Sequence, residues 1–163
     1  MTQEAPPNIP TLFEWAGGID PINRLVTRFY DHAVQDDLLS PYFQHMPKAH
    51  VGLVAEWFAE VLGGPKAYSE RNGTMTAHPN MIKRHQELFI SEDARRQWAN
   101  LMSLSADEEN LPRDAEFRSA LMSYVEWGTR MAEMFSNNGA TAPLSAPMPQ
   151  WGWGETPPYI AKS

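Results

Sequence analysis

His85 is where a chemical reading of this sequence begins. It lies in the run Met81-Ile82-Lys83-Arg84-His85-Gln86-Glu87-Leu88-Phe89-Ile90, behind two cations and ahead of an apolar patch. Leu88 and Ile90 can cover a flat apolar ligand beside the imidazole. Lys83 or Arg84 can reach acidic groups on that ligand's rim. A single imidazole offered from a helix suits haem iron. A surface histidine on a basic helix is the plain alternative, and only the rest of the chain separates the two.

Other residue types carry chemistry less openly. Tyr30 falls on the apolar face of a helical pattern, where its hydroxyl needs a partner or a ligand. Trp98 poses the same question, because an indole N–H only donates. His50 alone reads as a half-exposed helix residue. The other histidines, His32, His45 and His78, read as surface residues, and no compact ligand spacing joins them to His50 or His85. A non-haem metalloenzyme built on several histidines therefore has no motif behind it, but stays open.

Composition bounds the answer. A chain of 163 residues favours one domain with a real core. Net charge is −7, which argues against a general nucleic-acid binder, since phosphate contacts need a basic face. There is no cysteine, which removes disulfides, thiolate metal sites and cysteine catalysis. The first ten residues have neither a basic region nor an apolar core, so no signal peptide is expected. No apolar run reaches membrane-span length. The expectation is a cytoplasmic protein that binds neither nucleic acid nor membrane.

The elements that must position these residues are helical. Residues 1–10 are polar, proline-rich and expected to be loose. Thr11 to Ala16 reads as a short helix stopped by Gly17-Gly18. Asp20-Pro21 is expected to start the next helix, and Ile22, Leu25, Val26, Phe29, Tyr30 and Ala33 then recur at helical spacing. Asp36-Asp37 can open a short helix reaching Phe43. Ala49 to Leu62 carries an apolar stripe, widened by Trp57, that ends at Gly63-Gly64-Pro65. Lys66 to Asn80 shows little periodicity and is expected to be irregular. Ser91 caps a helix whose inner face includes Trp98, Leu101 and Met102. Pro112 is expected to open the last helix, along Phe117, Leu121, Tyr124, Gly128, Met131 and Phe135. The parts are a flexible segment over 1–10, a helical domain over 11–137, and a Pro/Trp-rich extension over 138–163. Trp151, Trp153 and Tyr159 in that extension are expected to dock on the helical body.

Several of these residues, taken in order, resemble a truncated haemoglobin, the bacterial globin family with a two-over-two helical sandwich, and most of all its second group. The carriers are Gly17-Gly18, Leu25-Val26-Thr27-Arg28-Phe29-Tyr30, Phe43, Gly63-Gly64-Pro65 with Tyr68, Arg84-His85 and Trp98. His50 departs from that group, which often has a small residue there, and is similar to the third group. Thr74-Met75-Thr76-Ala77 reads as an insertion.

The resemblance implies an all-α truncated globin fold holding haem b (iron protoporphyrin IX), with His85 as the iron's proximal ligand. It implies that Tyr30, His50 and Trp98 stabilise a ligand on the opposite side. Phe29, Phe43, Val54, Phe58, Tyr68, His78, Met81, Arg84, Leu88 and Ile90 would contact the cofactor. Dioxygen, nitric oxide, carbon monoxide or peroxide are the implied ligands, with reversible oxygen binding as the main role. Nitric oxide dioxygenation or peroxidase-like chemistry would need an external reductase, because nothing in the sequence encodes a flavin or nicotinamide site. The chain would be a monomer or homodimer. A haem-free globin-like sensor or interaction protein is the second alternative.

Overall fold

The computed structural model describes residues 8–137 and 139–160. Most of the loose leader expected over 1–10 lies outside them. No strand occurs among the described residues. The two glycines after the first helix decide the start of the fold. Helix α1 (Leu12–Ala16) is capped by Thr11, whose hydroxyl accepts from the Glu14 amide at 3.1 Å. Gly17 ends it at φ +105°, a left-handed conformation that suits glycine.

Helix α2 (Ile19–Ala33) follows at once, with Gly18 rather than Asp20 at its N-cap. Asp20 contributes a charge in the first turn, where the helix dipole favours acids, but makes no capping bond. Ile22, Leu25, Val26, Phe29 and Ala33 are buried along one face, as their spacing requires.

The Asp36 carboxylate accepts from the Leu38 and Leu39 amides and turns the chain into α3 (Ser40–Phe43). Helix α4 (Ala49–Val61) ends at Gly63-Gly64. At Gly64 a Cβ would lie 2.7 Å from the Ala59 carbonyl oxygen and from the Phe13 ring, so only glycine lets α1 close on α4 here.

The stretch 66–80 corrects the expectation of irregular chain. It forms α5 (Ala67–Asn72) and the beginning of α6 (Ala77–His85). Helix α5 takes its N-terminal acceptor from the preceding helix: the buried Glu60 carboxylate of α4 accepts from the Ser69 amide at 2.9 Å. Helix α7 (Glu92–Glu108) starts from Ser91, whose hydroxyl accepts from the Ala94 amide. Helix α8 (Ala115–Ser136) starts three residues later than Pro112, because Asp114 supplies the cap to Phe117 and is itself held by Trp15 Nε1 at 2.9 Å.

Helix α2 packs on α4 and α7, α7 on α8, and α8 on α6. This is the two-over-two sandwich, the α2/α4 pair against the α7/α8 pair. Helix α6 packs on α8, α5 joins α4 to α6, α3 rests on α2, and α1 on α2 and α8. None of the described helices is long and apolar enough to cross a membrane.

Residues 139–160 have no helix but are tied to the body. The Trp151 amide donates to the Val61 carbonyl and Trp153 Nε1 to the Pro10 carbonyl, each at 2.8 Å. Trp151 and Trp153 dock as expected. Tyr159 does not: it is 82% exposed. Ending the chain at Asn138 is expected to cost roughly 2–4 kcal/mol, the order for uncovering two large apolar side chains. The urea midpoint measures it. An unchanged midpoint would mark the segment as a dispensable linker.

Candidate functional site

The pocket between the helix pairs is built from apolar side chains that the helical spacing turns inward. Phe29 and Tyr30 come from α2, Phe43 from α3, His50, Val54, Trp57 and Phe58 from α4, and Trp98 and Met102 from α7. Helix α6 supplies His78, Met81, Ile82, Arg84 and His85, while Leu88 and Ile90 follow it. Aromatic edges lock the distal wall. Phe43 meets Phe29 at 5.5 Å and Tyr30 at 5.3 Å between ring centroids.

His85 ends its helix, and its Nδ1 bonds the Met81 carbonyl oxygen at 2.8 Å, one turn earlier. This places the proton on Nδ1 and leaves Nε2 with its lone pair. Among the described residues Nε2 has no hydrogen-bond partner. Burial lowers the imidazole's pKa, the Met81 carbonyl opposes that, and the charges of His50 and Arg84 add to the lowering. A neutral imidazole with a free nitrogen, facing an apolar pocket, is a metal ligand in waiting.

Across the pocket Tyr30 and His50 lie together, 6.3 Å between centroids. Among the described residues the Tyr30 hydroxyl reaches only the Met46 sulfur, at 3.7 Å. Burial raises its pKa far above the ordinary phenol value, so it stays a protonated donor. Burial and then the Arg84 charge lower that of His50, which stays neutral and keeps one N–H. Trp98 is placed differently from its two companions. Its indole lies nearly parallel to the His85 ring at 6.3 Å and contacts Phe29 and Phe43.

Arg84 is exposed at the rim and has no carboxylate partner among the described residues. Tyr68 is buried against the Trp57 ring and does not line the pocket wall. Its phenol is raised by burial and held back by the adjacent Arg84 guanidinium, so the two form one polar corner. His78 lies between Trp57 and Trp127, and its Nδ1 bonds the Pro147 carbonyl oxygen at 3.3 Å.

Burial keeps the His78 pKa below its ordinary value, against the opposing pull of Pro147. In the unfolded chain it returns to about 6.5. The unfolded state therefore binds a proton that the folded state refuses, and stability falls as pH drops through and below that value. His50 and His85 act in the same direction. A urea midpoint that falls from about pH 7.5 to about pH 5.5 is expected, with a shallower fall in His78→Gln. Identical slopes would dismiss the His78 contribution.

Sequence reasoning missed part of the wall. Met46 partners Tyr30. Trp57 Nε1 donates to the buried Tyr124 hydroxyl at 2.7 Å. Trp127 closes the side next to His78. Tyr124 lay on a helical apolar face, and that signal was readable only as core. Among the described residues no three His, Asp or Glu side chains gather to hold a metal ion. That weighs against the non-haem metalloenzyme.

The donor set fits one flat, largely apolar prosthetic group with an acidic edge. One free imidazole nitrogen, aromatic and aliphatic walls, and a rim guanidinium with no carboxylate partner among the described residues are what haem requires.

A sequence profile of the bacterial-like globin family matches residues 11–128. The group 2 truncated hemoglobin YjbI of Bacillus subtilis is 26% identical over 113 residues, spanning 69% of this chain and 81% of that protein. The crystal structure of the group II truncated hemoglobin of Bacillus anthracis superposes with a TM-score of 0.69 at 24% identity, covering 83% of this chain and 98% of the other. The truncated oxygen-avid haemoglobin of Bacillus subtilis gives 0.65 at 24% identity, covering 78% and all of the other chain, 100%. At that identity the two structures establish the fold.

Proposed function

The chain belongs to the bacterial-like globin family, and on that premise we propose that it holds haem b through His85 and binds dioxygen and similar diatomic ligands reversibly. The observation that carries this is the free Nε2 of His85, turned into an apolar pocket because Met81 holds the opposite ring nitrogen. When bound, haem supplies an iron that takes the ligand and exchanges electrons.

Each side chain then has one task. His85 ligates and, being neutral, needs no proton loss to do so. Arg84 offers a charge-assisted bond to a carboxylate at the rim, with Tyr68 beside it. Phe29, Phe43, Val54, Phe58, Met81, Leu88 and Ile90 line the pocket and would exclude water around the bound group. Tyr30 and His50 would donate toward a ligand that gains negative charge, and the Trp98 indole, packed beside His85, would supply a third N–H to the same pocket. His78 marks the opposite side of the pocket.

The same donors suit a peroxide or a nitric oxide reaction, and an external reductase would renew the reduced state. The test is the absorption spectrum of purified protein in ferric, ferrous and carbon monoxide forms. A histidine-ligated haem spectrum is expected. A protein that takes up no haem would return the reading to a haem-free sensor.

A further inference from the structure

The C-terminal segment adds an aromatic contact beyond the matched globin span. The family profile ends at residue 128, and Trp151 lies past it, half-buried. Its ring centroid is 5.6 Å from that of Trp127 and 5.7 Å from that of Tyr124. Trp127 and Trp57 both line the pocket. Between them stand His78, 5.9 Å from each, and Tyr124, bonded to Trp57. An unbroken run of ring contacts leads from the pocket wall to solvent.

We propose that Trp57, Trp127 and Trp151 form a relay that carries an oxidising equivalent from the pocket to the C-terminal segment. The proposal rests on the pocket holding haem. Indole and phenol are the readily oxidised rings here, but they differ in their protons. A phenol must lose its proton with its electron. Among the described residues the Tyr124 hydroxyl proton has no acceptor, and burial opposes a phenolate. Tyr124 is therefore a bridge, and the indoles are the stations.

An indole gives up its electron first and its N–H proton afterwards. Trp57 points its N–H at the Tyr124 oxygen, a poor base. Trp151 has no acceptor for its N–H among the described residues and is only half-buried, so solvent can take its proton. The oxidised state is therefore trapped at Trp151. The oxidant is a peroxide. Its O–O bond breaks, and two electrons and two protons convert hydrogen peroxide to two waters. One electron comes from the cofactor and the other from Trp151, whose proton goes to solvent. The neutral indole radical then takes a hydrogen atom from a small thiol or phenol, or it combines with dioxygen. Draining the oxidant in this way spares Tyr30, His50 and His85.

Trp153 is a control within the same chain. It is two residues away and also half-buried. Its ring partners are Trp15 and Phe117, neither of which lines the pocket. The experiment treats haem-loaded protein, its haem content read by absorption, with hydrogen peroxide and no added reductant. Mass spectrometry then locates oxygen added at each tryptophan. Trp151 is expected to be oxidised several-fold more than Trp153. Trp127→Phe should remove most of that excess, and Trp151→Phe should move oxidation inward to Trp127 and Trp57. Full haem content with equal oxidation of Trp151 and Trp153 overturns the relay alone. So does Trp151→Phe without inward movement. A chain that takes up no haem overturns the globin reading and the relay together.

Discussion

His85→Ala is expected to lose haem or to hold it without an imidazole, with the ferrous spectrum changed accordingly. No second imidazole stands ready on the same helix face at the same depth. His78 is two turns away and packed between Trp57 and Trp127. The substitution also removes the 2.8 Å side-chain bond to the Met81 carbonyl, a loss of about 0.5–1.5 kcal/mol. Loss of the cofactor removes a further stabilisation, about 2.7 kcal/mol for a ligand at a hundred times its Kd. The melting temperature of the variant should therefore become insensitive to added haem. Free imidazole in the buffer should restore a wild-type-like spectrum, because the deleted ring leaves space for it. A ferrous spectrum unchanged by His85→Ala would sink the assignment.

Tyr30→Phe is expected to speed oxygen release by about ten-fold or more. A hydrogen bond to a partly charged ligand contributes about 1.5–3 kcal/mol, each 1.4 kcal/mol is about ten-fold in affinity, and such losses show mainly in release. Among the described residues the Tyr30 hydroxyl is bonded only to a thioether sulfur, a weak acceptor, so it can turn to a ligand at little cost. Trp98→Phe should act in the same direction. Carbon monoxide should respond less, because its bound form carries less negative charge.

The double variant need not be additive, since donors sharing one ligand can replace each other. His50→Ala separates two roles, speeding release if the imidazole donates and speeding entry if it gates the pocket. Stopped-flow kinetics with both gases reads all of this. If neither Tyr30 nor Trp98 alters oxygen release, while carbon monoxide shifts as much as oxygen, the donor cluster is packing.

The local arithmetic of the chain determined a large part of this molecule. The spacing of Ile22, Leu25, Val26 and Phe29 dictated which face of α2 is buried. Ser91 marked the start of α7 and Gly17 the end of α1, because caps and left-handed turns are made by residues at or beside the position concerned. The bond from His85 to the Met81 carbonyl was equally legible, since residues four apart on a helix meet by geometry.

What only the tertiary structure decided depends on partners carried by other elements, often backbone groups. Helix α5 was invisible because its sequence has no stripe and its capping acceptor is Glu60 on α4. Short helices gain their stability from such contacts rather than from propensity. Asp114 rather than Pro112 sets the start of α8 by capping Phe117, and the indole of Trp15, far along the chain, holds that cap. Trp151 and Trp153 docked through the Val61 and Pro10 carbonyls, which carry no side-chain signature, while Tyr159 found no such partner among the described residues. The indole of Trp98 took its place beside His85 because Phe29 and Phe43 wall its other sides. Sequence spacing placed that side chain on the inner face of its helix. Only the packing of three other elements determined its direction within the pocket.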